Sequence, residues 1–486
     1  MTRRSILRRG LIALAAVALL AGTACGQYPG VHAAGAAAAN GLGSSGSSQA
    51  PGTVPGTTTG GTTGGLSGGA TTGGGTTTGG ATTPTSTGGG TTPTSTGGSG
   101  PAAPQPSGPG DTTGVTASTI TIGLHAPVTG AAPVPVNSFE KGVNLYWEHG
   151  NNGKPVLING RKVHVVFEDD HYDPSVAVQA CKKMADQEHA FLLIGGAGTD
   201  QIQACAQWAA SQGIPYLSAG VTMVGLSNLS NYFAISMTYP EQSVLLVDYI
   251  KHVLHVTSGK DVAMVAENSS NFDDAVSAFQ KAFPGVTVYR AGKNDNGSSM
   301  AANLCTGTLP NFKVVYPLVA PVYYLEMAKA ANCHPQYAGV GLTEGIDTVA
   351  NAGCAANNST LNAQFFNPSP AWQGHEKYDP SYDKAIAAAG NGFPNDDIVW
   401  LLYGLMKDVG SLLQQGGKNL TRQGFISTTA HATVHTGVYP DLKFTPDDHF
   451  GASSVNVLQN VCKSRGSGQN QQDGYYVTKY AFKSSF

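Results

Sequence analysis

No Asp, Glu, Lys or Arg occurs between Arg9 and Asp111, and from Gly52 onward this stretch is mostly Gly and Thr. The octet TTPTSTGG appears twice, at Thr82–Gly89 and Thr91–Gly98, which marks low-complexity sequence rather than a folded repeat. Such a tract has too little apolar surface to offset the entropy of ordering it. A core must therefore come from the chain beyond the tract, about 370 of the 486 residues, which is enough for two domains of substantial size.

Ahead of the tract, Arg3, Arg4, Arg8 and Arg9 precede an apolar stretch from Leu11 to Ala21, too short to span a bilayer stably. Residues 1–24 are expected to be a cleaved signal peptide. Gly22-Thr23-Ala24-Cys25 resembles a bacterial lipobox, with Gly22 where that motif usually has leucine. It implies that Cys25 carries a lipid anchor on the outer face of the cell membrane. Arg3-Arg4 also resembles a twin-arginine signal, which leaves the export route open. Residues 25–115 then act as a leash. As a flexible coil of about 85 residues it has an end-to-end distance of roughly 50 Å.

Net charge is −3, so no broad basic field exists to attract nucleic acid or anionic lipid. Besides Cys25 there are six cysteines, Cys181, Cys205, Cys305, Cys333, Cys354 and Cys462, with no CxxC and no zinc-finger spacing. In an exported protein an even set points to disulfides, and six cysteines allow fifteen pairings.

From Thr119 the chain alternates between short β-branched runs and stretches of helical periodicity. Ile120–Leu124, Val163–Phe167, Phe191–Ile194 and Ile214–Ser218 are expected strands. Helices are expected between them, from about Ser138, from Asp173-Pro174-Ser175, and over Asp200–Gln212. A second series begins after Met237. Its expected helices are Gln242–Leu254, Asp273–Phe283, Ser299–Cys305 and Tyr323–Ala331, and its strands Val262–Ala266, Val286–Tyr289, Lys313–Leu318 and Tyr337–Gly341. Two such blocks predict an α/β protein of two doubly wound lobes with mainly parallel sheets. The apolar helix Asp396–Leu413 is expected to return and pack on the first lobe.

Enzyme chemistry finds little support. No GxSxG or SxxK has a convincing catalytic partner, and HExxH and Walker A loops are absent. His252 and His255 lack a third metal ligand nearby. Glu168, Asp169, Asp170 and Asp173 precede a helix without EF-hand spacing, so capping and solvation explain them. No catalytic residue, metal or cofactor is expected.

ITIGLHAPVTG, FEDDHYDP, FLLIGG, GIPYLSAGVT and LKFTPDDHFGASSVNVLQNV occur in that order along the chain. Over Val115 to the C-terminus the chain resembles the branched-chain amino-acid-binding family of solute-binding proteins, the receptors of ABC importers. That resemblance implies the type I periplasmic-binding-protein fold, with two lobes joined by about three crossovers, near Thr238, Asn367 and Gly437. Lobe 1 would hold 116–238 and 368–437, and lobe 2 would hold 239–367 and 438–486.

The same resemblance implies a ligand site. Thr199, Gly220 and Thr222 correspond to residues that hold a ligand carboxylate, and Glu344, in LTEG, to an acidic partner for its ammonium. Asn271 and Phe272 fall where the family places an aromatic at the cleft, with Ala320 or Pro321 near another such position. Pro135 stands where amino-acid binders often have Tyr, which widens the range of solutes. The fold also implies disulfides 181–205, 305–333 and 354–462. The expected protein is a monomeric, lipid-anchored receptor of a small polar solute. It would dock on an ABC permease with its ATPase subunits and bind no nucleic acid. The rival is an extracellular sensor of the same fold; a neighbouring permease gene would favour transport, a neighbouring histidine kinase sensing.

Overall fold

A computed structural model describes residues 108, 110–130, 134–218, 226–292, 295–465 and 472–486. Residues 1–24, Cys25 and the linker up to 107 lie outside that set, as do Gly220 and Thr222. All of the described residues belong to one compact unit, Thr96–Phe486.

The first series forms β1 (Thr119–Ala126), α1 (Val136–His149), β2 (Lys162–Asp169), α2 (Pro174–Asp186), β3 (Leu192–Gly195), α3 (Thr199–Ser211), β4 (Tyr216–Ser218) and β5 (Tyr232–Ala234). Its sheet has the order β2-β1-β3-β4-β5, with every neighbouring pair parallel. The second series begins with α4 (Tyr239–His252), β6 (Val262–Glu267), α5 (Asp273–Ala282), β7 (Thr287–Ala291) and α6 (Ala301–Leu304). A short hairpin of β8 (Cys305–Thr306) and β9 (Leu309–Pro310) leads to β10 (Val314–Leu318), α7 (Pro321–Ala330), β11 (Gln336–Val340), α8 (Asp347–Ala355) and β12 (Gln364–Asn367). The remainder holds α9 (Ser381–Ala389), α10 (Asp397–Gln415), α11 (Arg422–Thr429), the hairpin β13 (Thr433–Val434) with β14 (Leu442–Lys443), then β15 (Val455–Val461) and β16 (Tyr475–Lys483).

The second sheet has the order β16-β15-β12-β11-β10-β6-β7. It is parallel from β12 to β7, while β15 and β16 add antiparallel at one edge. Antiparallel neighbours need no crossover helix, which is why this edge lacks the βαβ rhythm of the rest.

Capping explains where the helices start. Asp173 accepts from the Ser175 and Val176 amides with Pro174 in the first turn of α2. Thr238 and Glu241 form a reciprocal capping box on α4, and the Asp396 carboxylate accepts from the Val399 amide to begin α10. The expected helix Ser299–Cys305 ends early because Cys305 is extended (φ −131°, ψ 140°) and opens the β8–β9 hairpin. Its turn includes Gly307 at φ +64°.

Helix α10 packs against α1, as expected. At Gly142 an added Cβ would lie 2.9 Å from Leu402 and 3.2 Å from the Val399 backbone, so glycine permits this approach. The chain passes from the first sheet to the second set of layers at residues 235–238, returns after Asn367, and passes again between Phe450 and Val455. Residues after Gly437 stay with the first sheet for another turn of chain. Phe444 packs edge-on to Phe233 with ring centroids 5.6 Å apart, and Phe450 bridges to Ala234. The third passage therefore comes after Gly437 rather than falling on it.

Three disulfides join Cys181 to Cys205, Cys305 to Cys333 and Cys354 to Cys462, with Cα separations of 6.2, 5.7 and 5.2 Å. This is the pairing expected from the fold. No helix among the described residues is long and apolar enough to cross a membrane.

Candidate functional site

Parallel strands end on one side of a sheet, so the loops that leave them collect along a single crevice. Here the loops after β2 and β3 supply Tyr172, Gly198 and Thr199 to one wall of a cleft. Tyr239, Phe272, Leu318, Val319 and the segment Val340–Glu344 supply the other.

The FEDDHYDP segment shows how the first wall is built. His171 and Tyr172 are consecutive left-handed residues, at φ 53° and 57°, a conformation that costs of order 1 kcal/mol or more each. Hydrogen bonds offset that cost. Asp169 Oδ1 accepts from the His171 amide and Asp170 Oδ1 from the Tyr172 amide, both at 3.0 Å. The other Asp170 oxygen lies 2.8 Å from His125 Nδ1, and His125 Nε2 lies 2.7 Å from the Tyr216 hydroxyl. His125, Asp170 and Tyr216 are all fully buried. Tyr172 is thus anchored through a polar chain into the first sheet. Glu168 pairs with Lys183 at 2.6 Å and Asp173 caps α2, so the acidic run serves capping, pairing and this anchor.

Thr199 is the first residue of α3, directly after Gly198 at φ +84°. Its buried hydroxyl donates to the Tyr239 hydroxyl at 3.3 Å. A thirteen-residue helix begins there, and its free N–H groups favour an acceptor such as a carboxylate.

Glu344 occupies the second wall, in the loop after β11, and is only 3% exposed. Thr343 Oγ1 donates to Glu344 Oε2 at 3.1 Å, and the Tyr476 hydroxyl donates to the Glu344 carbonyl at 2.9 Å. Burial pushes the Glu344 carboxyl up to about 8, helped by the charge of Glu267, while hydrogen bonds oppose the shift. Glu267, also buried, ends β6. Burial and then the charges of Glu267 and Glu344 hold the Tyr172 hydroxyl well above its ordinary value, so these three groups form one electrostatic cluster.

The sequence-expected residues divide. Thr199, Phe272 and Glu344 line the same cleft. Asn271 sits at its edge, where its Nδ2 donates to Asp200 Oδ1 at 2.6 Å. Ala320 is set back as the cap of α7, buried behind Leu318 and Val319, which line the cleft in its place. Gly220 and Thr222 lie outside the described residues, and Pro135 is exposed ahead of α1. Tyr172 and Tyr239 were missed. A Tyr inside FEDDHYDP, next to an Asp-Pro helix start, was a usable signal; nothing in the sequence marks Tyr239. Among the described residues, His125, Cys181 and Cys205 have metal-ligand spacing, but both sulfurs belong to a disulfide.

A family model described as periplasmic binding protein matches residues 119–467. No curated protein sequence matches the chain. Among solved structures, a fatty acid ABC transporter substrate-binding protein from Thermomonospora curvata aligns with a TM-score of 0.63 and 17% identity, covering 77% of this chain and 95% of that one. An ABC transporter solute-binding protein from R. palustris, in complex with benzoate, aligns at 0.57 and 17% identity, covering 75% and 96%. The branched-chain amino acid transporter substrate-binding protein of Streptococcus pneumoniae, in complex with isoleucine, aligns at 0.58 and 16% identity, covering 74% and 100%. At such identities the likeness is one of fold.

Proposed function

The chain belongs to the periplasmic binding protein family, and we propose that it is the solute receptor of an ABC importer. In this reading it traps a small polar solute between its two sheets and passes the solute, chemically unchanged, to a membrane permease driven by ATPase subunits. The supporting observation is that Thr199 and Glu344, carried by different sheets, line one cleft. A ligand touching both walls gains its full contact only when the two sides are together, so it selects the closed arrangement.

Within that reading Thr199, with Gly220 and Thr222, receives a carboxylate, and Glu344 receives an ammonium. Phe272 packs against the bound solute, and Asn271 and Ala320 act from the edges of the site. Lobe 1 comprises 116–238 with 368–437 and lobe 2 comprises 239–367 with 438–486; the contacts of Phe444 and Phe450 with the first sheet support extending lobe 1 to about residue 452. Cleavage before Cys25 and lipid attachment there would hold a monomeric receptor on the outer face of the membrane. The relatives' names, with ligands from benzoate to isoleucine, give the range of solutes to try.

A thermal-shift screen of the purified protein over amino acids, amides, polyamines and aromatic acids tests this. One class should raise the melting temperature, with a micromolar dissociation constant, about −8 kcal/mol. A screen in which nothing binds, or one in which a compound is turned over, overturns the receptor reading. Glu344→Ala should abolish binding of an ammonium-bearing hit; unchanged affinity removes the ammonium assignment alone.

A further inference from the structure

Helices α8 and α10 belong to different halves of the molecule, yet their first turns meet. α8 packs on α7 and on β16 of the second sheet, whereas α10 packs on α1 beside the first. One side chain joins the two starts. Asp397, the first residue of α10, accepts at Oδ2 from the backbone amide of Asp347, the first residue of α8, at 2.7 Å. The residue before α8 is Ile346, which has no side-chain acceptor to cap the helix. The cap of α8 therefore comes from the other half.

Each end of this contact is held within its own half. Next to Asp397, Asp396 accepts from the Val399 amide and from Ser138 Oγ of α1, and Asn395 Oδ1 accepts from the Tyr382 hydroxyl of α9. Across from it, the Asp347 carboxylate accepts from the Tyr476 amide of β16 at 2.8 Å and from the Arg465 guanidinium at 3.1 Å. Neither end is free to follow the other when the halves separate. Asn367, where the chain returns from the second half to the first, lines the same small space as Asp347 and Asp397, so the contact sits beside a crossover. Movement there is small, but a 2.7 Å hydrogen bond is lost once its ends part by about 1 Å. Glu344, Gly345 and Ile346 run directly into α8, so the cap also fixes the far end of the loop that carries Glu344.

We propose that Asp397 is the hinge-side latch of closure, a positioning residue that fastens the start of α8, and with it the Glu344 loop, to the half carrying α10. The latch forms only with the halves together, so it adds to the closed arrangement and is absent from the open one. It goes beyond the receptor reading, because a sensor of the same fold would use it equally and no particular solute is required. Burial, and then the charges of Asp347 and Asp396, hold the Asp397 carboxyl well above the usual carboxylate range. A carboxyl kept toward its neutral form is one that an amide of the same shape can replace.

Hydroxyl-radical footprinting of the solute-free full chain, read by mass spectrometry, tests the latch. Tyr239 and Phe272 are buried in the cleft and take no part in the Asp397 contacts. Asp397→Ala should raise their oxidation about fivefold, the contribution of one neutral hydrogen bond to the opening equilibrium. Phe233 and Phe279, inside the two sheet cores, should stay protected. Asp397→Asn keeps an acceptor oxygen and should bring Tyr239 and Phe272 back to within about twofold of the unmodified chain. Oxidation that rises only beside α8, at Ile346 and Val349, or nowhere, would overturn the latch and leave an ordinary helix cap. An asparagine variant as open as the alanine variant would overturn it too. If Asp397→Ala also exposes Phe233 and Phe279, the unmodified chain in urea below its unfolding transition decides. There the Asp347 amide should exchange its hydrogen through the same opening, with the same urea dependence, that exposes Tyr239 and Phe272. Unequal urea dependences would overturn the latch. Its failure spares the receptor reading, which the solute screen decides separately.

Discussion

Asn271 Nδ2 lies 2.6 Å from Asp200 Oδ1, and Ser269 Oγ reaches the same oxygen at 3.0 Å. Asp200 stands in the first turn of α3, while Ser269 and Asn271 precede α5 on the opposite wall. Two donors on one carboxylate therefore tie the walls together beside the cleft. A bond made only when the walls are close contributes to ligand affinity through the closed state. Its site is partly exposed, so we expect Asp200→Ala to raise the dissociation constant by about tenfold, near the lower end of what a charged hydrogen bond supplies. The melting temperature without ligand should move little. Asp200→Ala with Asn271→Ala should be no worse than either alone. A larger loss from Asn271→Ala than from Asp200→Ala would instead put Asn271 in direct contact with the solute.

The three disulfides should differ in their response to thiols. Cys181 and Cys205 are fully buried, whereas Cys305 and Cys462 are partly exposed. Thiolate attack needs access to a sulfur, so dithiothreitol under native conditions should open 305–333 and 354–462 before 181–205. Mass spectrometry after timed alkylation reads this order. Loss of the 354–462 bridge, which spans 108 residues, should cost the most, about 5 kcal/mol by chain entropy against about 3 for the shorter loops. Equal reduction rates for all three would contradict the burial argument.

Much of this architecture was legible because period and punctuation agreed. Pro174 after Asp173 announces α2, and alternating β-branched runs announce β1, β2 and β6. The late strands β15 and β16 were harder, since antiparallel edge strands have no helix between them to mark their ends. Thr199 and Glu344 were expected from the family resemblance; both sit in strand-end loops and line the cleft. Tyr239 is buried by a packing partner, Phe272, whose ring lies 5.6 Å away, and no local pattern in the sequence reports that meeting. Asn271 was expected at the ligand because the resemblance places an aromatic of the cleft at its position. Its hydrogen bond depends on Asp200, seventy-one residues earlier, a pairing visible only once the walls are built.

Removing the Asp170 carboxylate should damage both stability and binding. It is fully buried, and its two oxygens serve His125 on one side and the Tyr172 amide on the other. Asp170→Ala leaves two buried polar partners without an acceptor, which should cost about 3–5 kcal/mol in denaturant unfolding. Asp170→Asn keeps one acceptor oxygen, so it should fall between the alanine variant and the unmodified protein. In either case Tyr172 loses its anchor, and affinity should drop beyond what partial unfolding explains. Full affinity in a destabilised but folded variant would show that Tyr172 does not help form the ligand surface.

Glu344 makes stability depend on pH in a defined direction. Its carboxyl is raised from an ordinary 4.5 to about 8 when folded. Between those values an unfolded chain has released the proton while the folded chain still holds it. The unfolded state then binds fewer protons, so stability falls as pH rises across this window and levels off above it. The stability associated with the neutral carboxyl is complete below pH 4.5 and is lost progressively toward about 8. Glu344→Gln should flatten that slope and leave the protein more stable than the unmodified chain at pH 8, read from melting temperatures at fixed ionic strength. Ligand binding supplies the second half of the test. An ammonium placed beside Glu344 favours the charged carboxylate, so binding at pH 7 should expel close to one proton. Calorimetry in buffers of different ionisation enthalpy measures this number directly. A carboxylic acid without an ammonium should expel none, so proton release separates the two head groups independently of affinity.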